Sequence, residues 1–275
     1  MNNLKKELLR AGIRPDKKSG QHFLVDSGVL NRIISAADLT RQDIVLEVGA
    51  GPGNLTQLLA RQVHRVIAVE NDSRIIPLLE ENLKPCANVE IVKDDIFYWR
   101  RCQPGKLTDQ GYKLVANIPY YLTAHLLRIF LSEPPKPGSL TLLVQKEVAE
   151  RIVAAPGEMS QLSVSVQYYS RPKLLFTVAH SHFWPEPKID SAVVSLSQIK
   201  KTVPEDKDFF RLVRIGFTSR RKQLQNNLKA GYRKTDEEIT NLFQAANIPK
   251  KIRPQELSIT DWQNLFSGLK LNKIG

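Results

Sequence analysis

From about Ile44 to Val144, short apolar runs alternate with longer amphipathic stretches. The runs are rich in β-branched residues and end at Gly, Pro or Asn, which is typical of buried strands. They are residues 44–48, 66–69, 89–92, 113–116 and 140–144. Helical patterns lie between them, at residues 54–61, 73–82 and 122–131. This alternation predicts an α/β domain whose parallel sheet is covered on both faces.

Two further β-like runs follow, at residues 162–169 and 192–196. Turn residues rather than long helices precede them, which favours an antiparallel, hairpin-like edge of the sheet. After Lys200 the pattern changes, because apolar residues recur at helical spacing along one face. These residues are Phe210, Val213, Phe217, Leu224 and Leu228.

Two more helices are predicted in the last forty or so residues. Thr235 followed by Glu238 is a capping box that opens one of them. Apolar residues line the other: Leu257, Trp262, Leu265 and Phe266. We therefore predict an α/β domain over residues 1–199 and a small helical domain over residues 200–275.

The positive charge of the sequence is concentrated in two regions. The 275 residues include 40 Lys+Arg and 28 Asp+Glu, a formal net charge of +12. Residues 1–18 hold six basic and two acidic residues, residues 200–275 hold 16 and 8, and residues 19–199 are neutral. Such charge often only solvates a surface, but its concentration in two regions favours a polyanion partner, most simply nucleic acid.

Composition excludes several classes of protein. A hydrophobic content of 42% is ordinary for a globular core, and no apolar run approaches the roughly 18 residues that span a bilayer. Residues 1–20 are basic but contain no apolar stretch of a secretory signal. Cys86 and Cys102 are too few for a disulfide framework or a four-ligand zinc site. We expect a soluble, cytoplasmic monomer with no metal and no membrane partner.

A glycine-rich segment, EVGAGPG at residues 47–53, follows the first strand and opens a helix. Glycines there let the backbone approach a ligand closely, and the G-x-G-x-G spacing differs from the G-x-G-x-x-G of a pyrophosphate cradle. Glu70, at the end of the second strand, is placed to accept both hydroxyls of a ribose. Asp95, after the third strand, is placed to accept from an adenine amino group. The alternative is a tight strand–helix turn with surface acids.

A second motif, Asn117-Ile118-Pro119-Tyr120, directly follows the fourth strand and faces the same crevice. The Asn117 amide oxygen and the Ile118 carbonyl can both accept hydrogen bonds from an exocyclic amine. Pro119 fixes the local backbone, and Tyr120 offers a flat face for a base. The alternative is a turn with a buried tyrosine.

With these motifs, nearly the whole chain resembles the KsgA/RsmA family of small-subunit (16S) rRNA adenine N6,N6-dimethyltransferases, which use S-adenosylmethionine (SAM). Four other segments carry the resemblance: GQHFL (20–24), QKEV (145–148), FWPEPKIDSAV (183–193) and RRK (220–222). The resemblance implies a Rossmann-like class I SAM-dependent methyltransferase sheet with a small C-terminal helical domain. Family members often have Asn where this chain has His22.

The resemblance also implies the site and the reaction. The residues that contact SAM are His22, Leu24, Gly49, Gly51, Glu70, Asp95 and Asn117. The target adenine stacks between Tyr120 and Phe183, and these two residues with Asn117, Ile118 and Pro119 form the catalytic set. The implied reaction adds two methyl groups to N6 of each of two adjacent adenosines near the 3′ end of the rRNA, free or in the assembling small subunit.

The basic residues are candidates for the RNA contact. Arg220, Arg221 and Lys222 are predicted on a helix whose apolar face packs inward, and Lys17 and Lys18 beside the pocket entrance. Together they would neutralise phosphates. The alternative is that they solvate the small domain or pair with acidic residues (Asp236 and Glu237).

Three other functions stay open at this point. An RNA-binding or transcription-initiation factor can keep a methyltransferase fold without catalysis, although the intact motifs argue against it. A resistance-type dimethyltransferase of large-subunit rRNA is a closer rival, and the FWPEPKIDSAV and RRK segments favour the small-subunit family. An NAD-dependent oxidoreductase is disfavoured because the G-x-G-x-x-G spacing is missing.

Overall fold

The structure is a computed structural model that describes residues 3–15, 20–103 and 105–271. The chain divides into two compact units. The first comprises Met1–Ala149 and Ser170–Lys200, and the second comprises Glu150–Tyr169 and Lys201–Gly275.

Strands make up the centre of the first unit. They are β1 (Phe23–Leu24), β2 (Ile44–Val48), β3 (Arg65–Glu70), β4 (Val89–Lys93), β5 (Lys113–Asn117), β6 (Ser139–Gln145), β7 (Arg171–Val178), β8 (Phe183–Trp184) and β9 (Ser191–Ser197). Seven of them form one sheet in the order β4-β3-β2-β5-β6-β9-β7, and β1 pairs with β8 in a separate two-stranded sheet.

Helices precede, connect and follow these strands. They are α1 (Asn3–Arg10), α2 (Ser27–Ala36), α3 (Asn54–Ala60), α4 (Ile76–Leu83), α5 (Ile96–Cys102), α6 (Thr123–Ser132), α7 (Lys146–Ile152), α8 (Gln161–Tyr169), α9 (Asp206–Gly216), α10 (Leu224–Tyr232), α11 (Asp236–Ala245) and α12 (Ile259–Leu271).

The predicted parallel sheet is confirmed. The five predicted strands are β2 to β6, and all their mutual pairings are parallel. The predicted helices correspond to α3, α4 and α6, although α4 begins only at Ile76. The sheet is apolar on both faces. Val45, Val66 and Val115 are buried on one face together with Leu59 of α3, and Leu46, Ile67 and Leu114 are buried on the other.

An antiparallel edge is present, but one of its strands was wrongly predicted. β9 pairs antiparallel with β6 and with β7, and residues 192–196 were predicted as this strand. Residues 162–169 are not a strand; they lie in α8. Ser160 and Ser163 bond each other's backbone and hydroxyl groups at the start of this helix, and such capping outweighs the β propensity of its valines.

The second unit is a helical bundle with its own core. Phe209, Leu242 and Trp262, from three different helices, are buried in one cluster. Val164 of α8 lies in that cluster, and the hydroxyls of Tyr168 and Tyr169 each donate a 2.8 Å hydrogen bond to the buried Asp206 carboxylate.

These contacts change the predicted domain boundary. The division near residue 200 agrees with the prediction, but residues 150–169 belong to the helical unit rather than to the α/β unit. The sequence pattern did not indicate that residues 150–169 belong to the helical unit. The apolar run within them predicts a sheet strand, whereas its residues pack on helices.

The predicted apolar face from Phe210 to Leu228 is divided between two helices. α9 ends at Gly216 and α10 begins at Leu224. The side-chain amide of the buried Asn227 donates to the carbonyls of Gly216 and Ser219, at 2.6 and 3.0 Å. These bonds satisfy carbonyls that a continued helix would have used, so the chain turns there. The predicted capping box of Thr235 and Glu238 is present at the start of α11.

Candidate active site

One cavity of the first unit lies at the carboxyl ends of the parallel strands. The EVGAGPG loop after β2, Glu70 at the end of β3, Asp95 after β4 and the segment 117–120 after β5 all line it. The chain also contributes residues 20–24, which include β1. Parallel strands bring their carboxyl ends to one edge of a sheet, which is why residues far apart in sequence meet here.

The glycine loop needs its glycines for backbone geometry. Gly49 and Gly51 have φ of 74° and 56°, a region that side-chain-bearing residues rarely adopt. A Cβ on Gly51 would also lie 3.4 Å from the Phe23 ring. The loop therefore presents bare backbone to the cavity.

Glu70 is tied to this loop. Its carboxylate accepts hydrogen bonds from the backbone N–H of Gly51 at 2.8 Å, of Asn71 at 2.9 Å and of Asp72 at 2.8 Å. Burial nevertheless raises the pKa of Glu70, and these backbone bonds offset only part of that effect. A carboxylate offers about four acceptor positions, so ribose hydroxyls would have to share this group with the loop.

Glu47 is the most deeply buried acid that lines the cavity, at 1% exposed. Its Oε2 has no hydrogen bond of good geometry, although the Thr56 hydroxyl lies beside the carboxyl group. Burial raises the pKa of Glu47 to about 8; Thr56 lowers it by less, and the neighbouring Glu70 charge adds to the increase. Glu47 is therefore mostly protonated at neutral pH.

Asp95 is exposed and caps α5. Its Oδ1 accepts from the backbone N–H of Phe97 at 2.9 Å and of Tyr98 at 3.0 Å. Both bonds end on the same oxygen, which leaves Oδ2 for a ligand. The capping role fixes the carboxylate at the rim of the cavity.

Asn117 is oriented by the N-terminal segment. Its side-chain Nδ2 donates to the carbonyl of His22 at 3.3 Å, so its Oδ1 is left as an acceptor. Ile118 is buried, and its N–H donates to the carbonyl of Leu143 on the neighbouring strand at 3.3 Å. The backbone that carries the second predicted acceptor, the Ile118 carbonyl, is thereby held to the sheet.

Tyr120 is held on two sides. Its hydroxyl lies 2.9 Å from the Ser191 hydroxyl on β9, and its ring stacks on that of His22 with 5.7 Å between centroids. His22 Nδ1 lies 2.7 Å from the carbonyl of Pro185 and is therefore the donor. Burial raises the pKa of Tyr120, so the phenol is neutral at physiological pH.

Phe183 is not a cavity residue in this structure. It is 4% exposed, pairs with Leu24 across the β1–β8 sheet, and belongs to the apolar core. The implied stacking of an adenine between Tyr120 and Phe183 is therefore not preformed. Tyr120 does line the cavity, as does Leu24.

The predicted RNA-binding residues lie elsewhere in the chain. Arg220, Arg221 and Lys222 are exposed, but they form a turn between α9 and α10 rather than part of a helix. Asp236, one of the two acids named as alternative partners of these three residues, pairs instead with Lys229 at 2.8 Å. Lys17 and Lys18 lie outside the described residues.

Sequence reasoning missed three contributors to the site. Ser191, Gln21 and Thr56 were assigned no role, yet Ser191 holds Tyr120 and Gln21 donates a 2.6 Å hydrogen bond to Asp72 after β3. The Ser191–Tyr120 and Gln21–Asp72 pairs are separated by 71 and 51 residues in sequence, so no local pattern could have indicated those two contacts. Thr56, by contrast, lies on the helix that follows the glycine loop and neighbours Glu47. The only signal for Gln21 and Ser191 is that they lie in the GQHFL and FWPEPKIDSAV segments, which carry the family resemblance.

Over residues 3–15, 20–103 and 105–271, no cluster of three or more His, Cys, Asp or Glu side chains is placed to hold a metal ion. In the same part of the chain, no helix has the length and apolar character needed to cross a membrane.

A parallel α/β sheet with a glycine loop after its first parallel strand, an acid at the end of the next and an N-I-P-Y segment after β5 defines a class I methyltransferase. The family profile described as ribosomal RNA adenine dimethylase matches residues 14–270. The chain belongs to this family.

Curated relatives agree with this assignment. A ribosomal RNA small subunit methyltransferase A from Dehalococcoides mccartyi (strain CBDB1) is 42% identical over 258 residues, which cover 92% of this chain and 88% of the relative. The protein of the same name from Bacillus thuringiensis (strain Al Hakam) is 35% identical over 288 residues, covering 99% and 97%.

Two solved structures share the fold over 90% of this chain. A dimethyladenosine transferase from Plasmodium falciparum has a TM-score of 0.74 at 26% identity, with 97% of that chain covered. The 23S rRNA methyltransferase ErmE has a TM-score of 0.71 at 25% identity, with 99% covered. The predicted fold class is thus confirmed.

The buried acid Glu47 gives a pH-dependent prediction. The pKa of Glu47 rises from 4.5 in the unfolded chain to about 8 in the folded protein. At a pH between these two values, unfolding therefore releases a proton from Glu47. The free energy of unfolding therefore falls as pH rises through this window. Glu47→Gln should remove this slope and be more stable than the wild type at pH 7 by up to about 3 kcal/mol, at 1.36 kcal/mol for each pH unit.

Urea denaturation at pH 5, 6, 7 and 8 measures this difference. Glu81→Gln is the matched control, because Glu81 is exposed and should leave the slope unchanged. Asp72, whose pKa is lowered to about 2 mainly by the Arg74 side chain, titrates below this window. Equal pH slopes for the wild type and Glu47→Gln would contradict the assignment of a protonated Glu47.

Proposed function

We propose that this chain binds SAM in the cavity at the carboxyl edge of the sheet and dimethylates adenosines of small-subunit rRNA at N6. The observation that carries the proposal is the convergence of the glycine loop, Glu70 and the Asn117–Tyr120 segment on one cavity. The names of the curated relatives support the small subunit as the source of the substrate.

The residues at the cavity suit SAM. Gly49 and Gly51 have positive φ and leave room beside the loop that a side chain would fill, so a ligand can contact the backbone there. The G-x-G-x-G spacing, which differs from that of a pyrophosphate cradle, favours a ligand without phosphates. Glu70 would hold the ribose, while the free oxygen of Asp95 would accept from the adenine amino group. His22 and Leu24 line the cavity and complete the implied contacts. When bound, SAM supplies an electrophilic methyl group.

The chain's own residues would prepare the acceptor nitrogen. The lone pair of an adenine amino group is delocalised into the ring, so it is a poor nucleophile. Asn117 Oδ1 and the Ile118 carbonyl would accept its two protons and draw the nitrogen toward a tetrahedral geometry. Tyr120 would hold the ring plane. This is catalysis by positioning and electrostatics, and the proton is lost readily once the nitrogen becomes cationic.

Specific observations argue against the rival functions. Asn117, Ile118 and Glu70 all line the cavity, and an RNA-binding factor without catalysis would not need this combination. ErmE, a 23S rRNA methyltransferase, has nearly the same fold similarity as the dimethyladenosine transferase, so the fold does not discriminate between rRNA substrates. The higher identity to small-subunit methyltransferases, 42% against 25%, favours the small subunit.

The test uses labelled SAM with unmethylated small subunits, large subunits and tRNA in separate reactions. Label should enter small-subunit rRNA, and primer-extension stops should map to two adjacent adenosines near its 3′ end. Transfer to large subunits alone would support the resistance-type function. Small-subunit binding without transfer would support a non-catalytic factor. Parallel assays on free rRNA show which form is the substrate in ribosome biogenesis.

We also propose that residues 200–275 form the basic RNA-binding region, and that the protein acts in the cytoplasm as a monomer. The eight-residue excess of basic residues in this region supports the first statement. Cys86 and Cys102 are both free, as a reducing compartment would keep them. The monomeric state stays a prediction that light scattering can test.

Asn117 should act mainly on methyl transfer. Asn117→Ala removes one of the two acceptors, so single-turnover methylation should fall about a hundredfold or more, the scale for loss of one preorganised polar partner. RNA affinity should stay within a small factor of the wild type. Rapid-quench methylation and filter binding measure the two effects. Asn31→Ala, an exposed change on α2, is the control; wild-type turnover by Asn117→Ala would contradict the mechanism.

The turn of Arg220, Arg221 and Lys222 should contact phosphates. Charge reversal of all three to Glu should weaken rRNA binding and flatten the plot of log affinity against log salt by about 0.7–0.9 for each lost contact. Cofactor affinity should not change. Arg41→Glu, Arg61→Glu and Lys84→Glu together, three exposed basic residues of the other unit, are the control with the same change in net charge. A wild-type salt slope in the triple variant would show that this turn is not an RNA contact.

A further inference from the structure

Tyr120 and Tyr121 are consecutive on a short 3₁₀ turn, Tyr120–Leu122, but their environments differ. Tyr120 is held by Ser191 and His22, as described above. Tyr121 is 62% exposed, yet it also lines the cavity. One ring is therefore held by the protein and the other is turned toward solvent at the same opening.

Exposure of this kind is rare in the described residues. Their exposed large apolar side chains are Leu9, Tyr98, Tyr121, Leu175, Ile189 and Val203. Among them, within that part of the chain, only Tyr121 lines the cavity. A large exposed apolar side chain is unremarkable when isolated on a surface, but one at the opening of a binding cavity is placed to contact what enters.

The backbone under Tyr121 is well fixed. The N–H of Leu122 donates to the carbonyl of Pro119 at 2.9 Å, and the N–H of Thr123 donates to the carbonyl of Tyr120. α6 begins immediately afterwards. On the other side lies Gly20, where an added Cβ would be 3.8 Å from Tyr121 Cδ1. The ring thus projects from a rigid turn, and ordering it against a ligand costs little entropy.

We propose that Tyr121 is a stacking platform for a nucleobase that neighbours the target adenosine in the RNA strand. This proposal rests on the proposed function, because the base that enters the cavity then brings its covalent neighbours to the opening. A flipped adenosine stays joined to its neighbour through the sugar–phosphate backbone, so the neighbouring base remains near the opening that Tyr121 lines.

The chemistry favours a base over other partners. A flipped adenosine leaves its neighbours without a stacking partner on one side, and an aromatic ring replaces that partner for any base because every base has a π-face. Tyr121 would therefore select an unstacked strand segment rather than a particular base. The ring face, and not the hydroxyl, is the group that acts.

Three substitutions separate these contributions. Tyr121→Ala should raise the KM for unmethylated small subunits, and the Kd for their RNA, about tenfold, the lower part of the range for loss of one stacked base. kcat and the Kd for SAM should stay within twofold. Tyr121→Phe should match the wild type. Tyr121→Leu, which keeps apolar surface but no flat π-face, should behave like Tyr121→Ala.

Tyr98→Ala is the matched control, because Tyr98 is 54% exposed but does not line the cavity; it should match the wild type. A direct readout uses 2-aminopurine at the nucleotide on either side of the mapped adenosines. Binding to the wild type should quench one of these positions more than binding to Tyr121→Ala does. Thermal unfolding of each variant checks that the fold is intact.

The outcomes are distinct. Binding and KM within twofold of the wild type for Tyr121→Ala would overturn the proposal, as would full activity of Tyr121→Leu, which would indicate apolar cover without stacking. If the wild type bound the RNA but transferred no methyl group, the proposed function would fail. The Kd values of Tyr121→Ala, Tyr121→Leu and Tyr98→Ala for the RNA, which need no methyl transfer, would then still decide the role of Tyr121.

Discussion

The site depends on one constraint: parallel strands must end at a common edge of their sheet. β2 lies between β3 and β5, so the chain leaves β2 for one neighbour and later returns to pair on its other side. This arrangement opens a crevice beyond the end of β2. The glycine loop occupies the crevice because only residues that tolerate positive φ, such as Gly49 and Gly51, turn there without strain.

A second layer of contacts joins the N-terminal segment to this edge. Residues 20–24 are attached by the Gln21 amide to Asp72, by the Asn117 amide to the His22 carbonyl, and by the His22 ring to the Pro185 carbonyl. These bonds connect the segment to the ends of β3 and β5 and to the strand pair formed with β8. Rotation of the Asn117 amide would break one of them, so the same contact that holds the segment also sets which atom of Asn117 remains an acceptor.

Elements and site positions that depend on local sequence pattern could be predicted from the sequence. Those that depend on contacts between distant residues could not. Strands β2 to β6 and the positions of Glu70, Asp95 and Asn117 follow from periodicity and from the rule for parallel sheets. The helix α8 could not be predicted in this way, because its valines match a strand pattern but are buried against other helices. The turn at Arg220 is held by the Asn227 amide, which donates to the carbonyls of Gly216 at the end of α9 and of Ser219 in the turn. The burial of Phe183 accompanies its pairing with β1. None of these partners is adjacent in sequence.

The distribution of charge suits the two kinds of ligand that the reaction needs. Residues 19–199, which contain the cavity residues within the sheet, are neutral overall, whereas residues 200–275 carry a net charge of +8. A polyanion is attracted over a distance of about 10 Å at ordinary salt, so a basic region can gather RNA without itself being the reaction site. Inside the cavity, burial keeps Glu47 protonated, which limits the negative charge of the wall. Under the proposed function, long-range attraction of RNA and short-range selection in the cavity would therefore rest on different residues.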